Sequence, residues 1–170
     1  MNYKNIIFLD IDGVINILSL RSDYDDYVQI FYKSFVDNLK YIIECTDADI
    51  VISSTWRMKG LSILKNMWMD RNLPGNIVDI TPNANPFFER NVMINSVCKN
   101  CDEIGRGDEI DLWLSKNVVE KYVIIDDVDQ FMEHQQKYFV KTSGNKHIDS
   151  INGMGLTRTC SEKTINLFNI

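Results

Sequence analysis

Apolar residues fall along this chain in two alternating rhythms. Short runs rich in Ile and Val occupy 5–10, 49–53, 77–80, 121–126 and 138–141. Each is almost continuously apolar, the pattern of strands buried on both faces of a parallel sheet. Between these runs, apolar side chains recur at three- and four-residue steps. Phe31, Phe35, Leu39, Ile42 and Ile43 predict an amphipathic helix over 29–45. Leu61, Leu64 and Trp68 mark a second helix. Ile110, Trp113 and Leu114 mark a third, with Asp108 and Glu109 in its first turn, where acids suit the helix dipole. Ile165 and Phe168 suggest a closing helix over 159–168. The aromatic stripes read as core. Strand and helix alternate, which predicts an α/β fold with a doubly wound, Rossmann-like parallel sheet of about five strands. One domain over 1–170 accounts for the whole length.

In doubly wound sheets, ligands bind outside the carboxyl ends of the strands. Here those ends carry polar residues. Asp10 closes the first run, Ser53 the second, and Asp126 with Asp127 the fourth. Groups distant in the chain are therefore expected along one edge of the sheet.

The stretch IIFLDIDGVIN, residues 6–16, runs from apolar sequence into two aspartates one residue apart. Carboxylates this close repel, so something must offset them. A simple turn is one reading, since Asp and Gly are common where a strand stops. A calcium loop is a second, but its glycine at position six is Ile15 here and its glutamate at position twelve is Arg21. The third is a magnesium site with a carboxylate nucleophile. Magnesium takes oxygen ligands and is shared between a couple of carboxylates, waters and a substrate phosphate. A carboxylate can carry a covalent phosphoryl group, and a second acid two residues on emerges on the same side of an extended chain.

Composition narrows the partners. Twenty-four acidic against 18 basic side chains give a net charge of −6. A domain that grips nucleic acid through its phosphates usually has the opposite sign. No apolar run reaches the length of a membrane span or a signal-peptide core, so a soluble, cytoplasmic protein is expected. Cys98 and Cys101 form a lone C-x-x-C, and the histidines, His134 and His147, lack zinc spacing from it. Reduced thiols are the reading for all four cysteines. GNKH near residue 144 does not meet the P-loop pattern, which disfavours kinase chemistry.

Four segments, in order, resemble the motifs of the haloacid dehalogenase (HAD) superfamily of phosphatases. IIFLDIDGVIN is similar to its first motif and IVISSTWR (50–57) to its second, an apolar strand ending in Ser or Thr. GRGDEIDLWL (105–114) resembles the third, a basic residue opening a helix, and YVIIDD (122–127) the fourth. The combination, with FVKT and GLT further on, looks most like the small HAD domain of Swiss-army-knife RNA repair proteins. The resemblance covers about residues 5–157 and implies a HAD-like fold with minimal cap.

It also implies roles. Asp10 would be the nucleophile and Asp12 the general acid/base, with the Asp12 carbonyl on the metal. Ser53, or Ser54 if the strand end is displaced by one, would bond a phosphoryl oxygen. Arg106 would neutralise phosphoryl charge and support Asp10, although lysine is commoner there and an arginine also fits a helix-end pair with Asp108 or Glu109. Asp126, with Asp127 beside it as the alternative, would supply the second carboxylate of a magnesium site with Asp10. Arg57 suits either a substrate phosphate or a structural ion pair. Asn16 is expected to fix the loop after Asp12, and Trp56 to pack rather than stack on substrate.

Two segments, 17–28 and 82–105, stand where superfamily members insert caps. Both are short, so an open site for a large or terminal phosphate is expected. The resemblance implies a nucleic-acid end as substrate; the net charge counts against it. The resulting expectation is a magnesium-dependent phosphomonoesterase working through an aspartyl-phosphate. The alternative is a catalytically idle module that binds a phosphorylated partner, against which the retention of both Asp10 and Asp12 speaks. Dehalogenation is disfavoured, because such relatives lack an acid at the place of Asp12.

Overall fold

The computed structural model describes residues 1–17, 25–27, 30–83, 105–144 and 154–170. Among these, five strands form one sheet: β1 (Asn2–Leu9), β2 (Asp49–Ile52), β3 (Ile77–Ile80), β4 (Val118–Asp126) and β5 (Phe139–Lys141). All pairings are parallel and the order is β3-β2-β1-β4-β5. The expected α/β doubly wound sheet of five strands is therefore present. The helices are α1 (Lys33–Thr46), α2 (Leu61–Asp70), α3 (Arg106–Leu114) and α4 (Arg158–Asn169). The candidate caps at 17–28 and 82–105 lie for the most part outside the described residues, as do Cys98 and Cys101.

Alternate residues of the central strands feed two cores. Ile7, Leu9, Ile50, Ile52, Val123 and Ile125 point toward Phe35 and Leu39 of α1, Leu64 and Trp68 of α2, and Phe168 of α4. Ile6, Phe8, Val51 and Ile124 point the other way, against Ile110 and Trp113 of α3. Burial on both faces is why these strands read as unbroken apolar runs.

Element ends depart from the pattern for identifiable reasons. α1 starts at Lys33 rather than 29, because Tyr32 is extended and its N–H is bonded to the Ile15 carbonyl. Phe31, apparently in helical phase, packs on Trp56 and Trp68 from outside the helix. β1 and β4 each begin three residues early, since Asn2 pairs with Val118 at the exposed end of the sheet.

The strand order turns at β1 and β4. β2 and β3 extend one way from β1, β4 and β5 the other. Crossovers leaving this point in opposite directions open a crevice at the carboxyl ends of the two strands. Asp10 and Asp126 stand at that crevice.

Candidate active site

The sheet ladder runs one residue beyond the strands and sets the acids side by side. Asp10 N–H donates to the Ile125 carbonyl at 3.0 Å, Ser53 N–H to Leu9 at 3.0 Å, and Thr142 N–H to Asp126 at 2.9 Å. Asp10 and Asp126 are both buried. Between them lies the guanidinium of Arg106, the first residue of α3. Its Nη1 is 2.8 Å from Asp10 Oδ2 and also bonds Asp126 Oδ2. A cation at a helix N-terminus opposes the dipole, and the two carboxylates offset that penalty. Burial alone would lower the Arg106 pKa, but Asp10 and Asp126 outweigh it and hold the group firmly protonated. Asp108 does not pair with Arg106; its carboxylate accepts from Gly105 N–H at 2.8 Å.

Carboxylate oxygens of Asp10, Asp126 and Asp127 all lie within 4.8 Å of one another. Three acids facing one guanidinium leave an excess of negative charge, and the titration behaviour reflects it. Asp126 is pushed up to about 7 by burial and by Asp10, with Arg106 pulling the other way. Asp127 is raised by burial and then by Asp10. Hard oxygen donors in excess over cations are the donor set that suits a magnesium-like ion. The residues present fit such an ion.

The loop after Asp10 is shaped around this group. Gly13 has φ +84°, a left-handed conformation suited to glycine. It is held by the Thr142 hydroxyl on its carbonyl at 2.8 Å and by its own N–H on the Asn16 carbonyl at 2.7 Å. Asp127 occupies a slot between Gly13 and Gly144; a Cβ on either glycine would overlap its carboxyl group.

Asp12 faces another direction. Asn16 Nδ2 donates to its Oδ1 at 2.6 Å, and Trp56 Nε1 donates to its Oδ2 at 2.9 Å. Its carboxylate is not part of the three-acid group. Asn16 thus fixes the loop as expected, and the indole of Trp56 bonds as well as packs.

Two elements beyond β2 organise the remaining candidates. Residues Thr55–Lys59 form a 3₁₀ turn whose cap is Ser54, with its Oγ accepting from Trp56 N–H at 3.4 Å. Ser53 is buried, and its Oγ meets no hydrogen-bond partner among the described residues. An orphaned buried hydroxyl is costly unless a ligand completes it. Of the two serines, Ser53 therefore has the free acceptor-and-donor capacity beside Asp10. Arg57 realises the ion-pair reading: its Nη2 is 2.6 Å from Glu109 Oε1, while Nη1 donates to the Ser53 and Ser54 carbonyls at 3.2 and 3.0 Å.

Some supports gave little signal in the sequence. Glu109, read as a helix-dipole acid, is the buried partner of Arg57. Gln135 is fully buried and bonds the Gly107 carbonyl at 2.9 Å and Asp111 Oδ1 at 2.6 Å, pinning the turn that bears Arg106. The Trp56 bond to Asp12 had one usable clue, that a buried indole N–H requires an acceptor.

The parallel five-stranded sheet and the acidic group at its carboxyl edge are consistent with a HAD-like domain. The family model described as the HAD domain in Swiss Army Knife RNA repair proteins matches residues 6–150, and the chain belongs to that family. No curated protein and no solved structure matches the chain. Among the described residues, no helix is long and apolar enough to cross a membrane.

Proposed function

We propose that this domain is a phosphomonoester hydrolase that works through an aspartyl-phosphate on Asp10, with magnesium as cofactor. The observation that carries the reading is the shared contact of Arg106 with Asp10 and Asp126, the two buried members of a three-acid group completed by the half-buried Asp127. Phosphoryl transfer asks the protein mainly for positioning and for charge opposite the transferring oxygens.

In the first step an Asp10 carboxylate oxygen forms a bond to phosphorus as the ester P–O bond breaks. Asp12 gives its proton to the departing oxygen. In the second step Asp12 takes a proton from water, whose oxygen attacks phosphorus; the Asp10–phosphorus bond breaks, and inorganic phosphate leaves. Arg106 keeps Asp10 oriented and lies beside the incoming phosphoryl charge. Ser53 Oγ, without a hydrogen-bond partner among the described residues, is suited to bond a phosphoryl oxygen. Asp10, Asp126 and Asp127, with the Asp12 carbonyl, would hold the magnesium ion, which when bound supplies positive charge against both the acids and the phosphate.

The test is hydrolysis of p-nitrophenyl phosphate with magnesium, with Asp10→Asn as control. Turnover that falls more than about 10⁴-fold in the variant supports the reading. Turnover untouched by the substitution overturns the nucleophile assignment. A wild-type chain that binds phosphate esters without turning them over would be the idle module instead.

A further inference from the structure

We infer that Trp56 is a positioning residue for proton transfer, holding the general acid/base Asp12 through its indole N–H. The inference rests on the phosphatase reading for the role of Asp12, but the contact stands on geometry alone. Both Asp12 oxygens are held, each by a donor from a different part of the chain. Asn16 Nδ2 comes from the same loop and Trp56 Nε1 from the 3₁₀ turn beyond β2, 44 residues away.

The indole is itself immobilised. Trp56 is 8% exposed, its ring lies 5.6 Å from that of Phe31, and Lys59 Nζ sits 5.2 Å above it. Its backbone N–H is taken by the Ser54 cap. A packed aromatic with its N–H aimed at one oxygen fixes the carboxyl torsion, which a solvent-facing aspartate would otherwise sample freely. The same short turn sends the next residue, Arg57, to Glu109 on the helix that carries Arg106. Thr55–Lys59 thus links Asp12, through Trp56, to the helix that carries Arg106, through Arg57 and Glu109.

Positioning of an acid matters most where the leaving oxygen is basic. Trp56→Phe keeps the ring and deletes the N–H. Its kcat/KM is to be measured with magnesium on p-nitrophenyl, phenyl and benzyl phosphate. The expected loss is about 10–100-fold on benzyl phosphate and about two- to fivefold on p-nitrophenyl phosphate. An equal loss on all three substrates, or none, overturns the inference, because packing alone does not discriminate leaving groups. A second measurement does not depend on turnover or on the folding of Trp56→Phe. The indole N–H signals of Trp56, Trp68 and Trp113 are compared by NMR in the wild-type chain and in Asp12→Ala. Movement of the Trp56 signal well beyond the other two supports the contact, and a signal that stays in place refutes it. A wild-type chain inactive on every ester, with a responsive indole, sinks the phosphatase reading and the catalytic role together while leaving the contact intact. An active chain without leaving-group discrimination sinks the role of Trp56 alone.

Discussion

Leu9 and Asp10 are neighbours, almost equally buried, and opposite in what they contribute. Leu9 is 0% exposed and Asp10 2%. Fully burying a leucine side chain is worth about 1.5–3 kcal/mol. Burying a carboxylate costs several kcal/mol unless charge and hydrogen bonds are arranged around it. The same boundary recurs in β4 between Ile125 and Asp126, both 0% exposed. Stability therefore comes from the apolar halves of these strands, and the polar tips are sustained by them. On the proposed phosphatase reading the tips serve the chemistry, and the two regions should answer differently to the same kind of perturbation.

The largest expected separation is at the tip. Asp10→Asn should remove more than about 10⁴-fold of turnover, about 5.5 kcal/mol of barrier. Its urea midpoint should hold or rise, since one of three clustered charges is gone. A midpoint that collapses would mean the acid is structural, and the contrast would fail. Just inside the boundary, Phe8→Ala should do the reverse. Phe8 is fully buried, with its ring edge-on to Trp113 at 5.4 Å and to Tyr122 at 5.7 Å. Its loss should cost about 3–5 kcal/mol in denaturant unfolding, while the fraction that remains folded keeps its turnover.

Next in size is the effect of ion and pH. The folded-state pKa of Asp126, about 7, lies above its ordinary 3.8. Between these values the folded chain holds more protons than the unfolded one, so this group's contribution is fully present below about pH 4 and is lost as pH rises through about 7. With magnesium removed by a chelator, Tm should fall between about pH 4 and 7, and Asp126→Asn should flatten that fall. At pH 8, magnesium at about 100 times its Kd should return about 2.7 kcal/mol, about 5–10 °C in Tm. A magnesium effect that survives intact in Asp126→Asn would place the ion elsewhere. The smallest effect is at the support: Gln135→Leu should cost about 1–3 kcal/mol, because the Gly107 carbonyl and the Met132 N–H lose their partner. Turnover should fall with it as the turn bearing Arg106 loosens.

The apolar halves of the strands were legible because burial on both faces writes itself as unbroken Ile and Val. The acids were legible because Asp10, Asp126 and Asp127 stand directly after such runs. What fixes them was harder to read. Phe31 obeys helical spacing yet lies ahead of α1, because a bond from Tyr32 to Ile15 overrides local propensity. Arg57 and Glu109 are 52 positions apart in sequence and meet across two elements. Gln135 lies in a polar stretch, EHQQKY, where no periodicity distinguishes the one glutamine that turns inward. Patterns record which surface a residue faces; partners chosen through tertiary folding leave no such trace.

The slot around Asp127 makes an unusual demand on two residues that do no chemistry. Alanine at 144 adds a single methyl group, yet that methyl would take the volume the Asp127 carboxyl now fills. Gly144→Ala should therefore phenocopy loss of the Asp127 carboxylate at the neighbouring strand end, and a mutational scan scored by turnover would flag an inert position as though it were reactive.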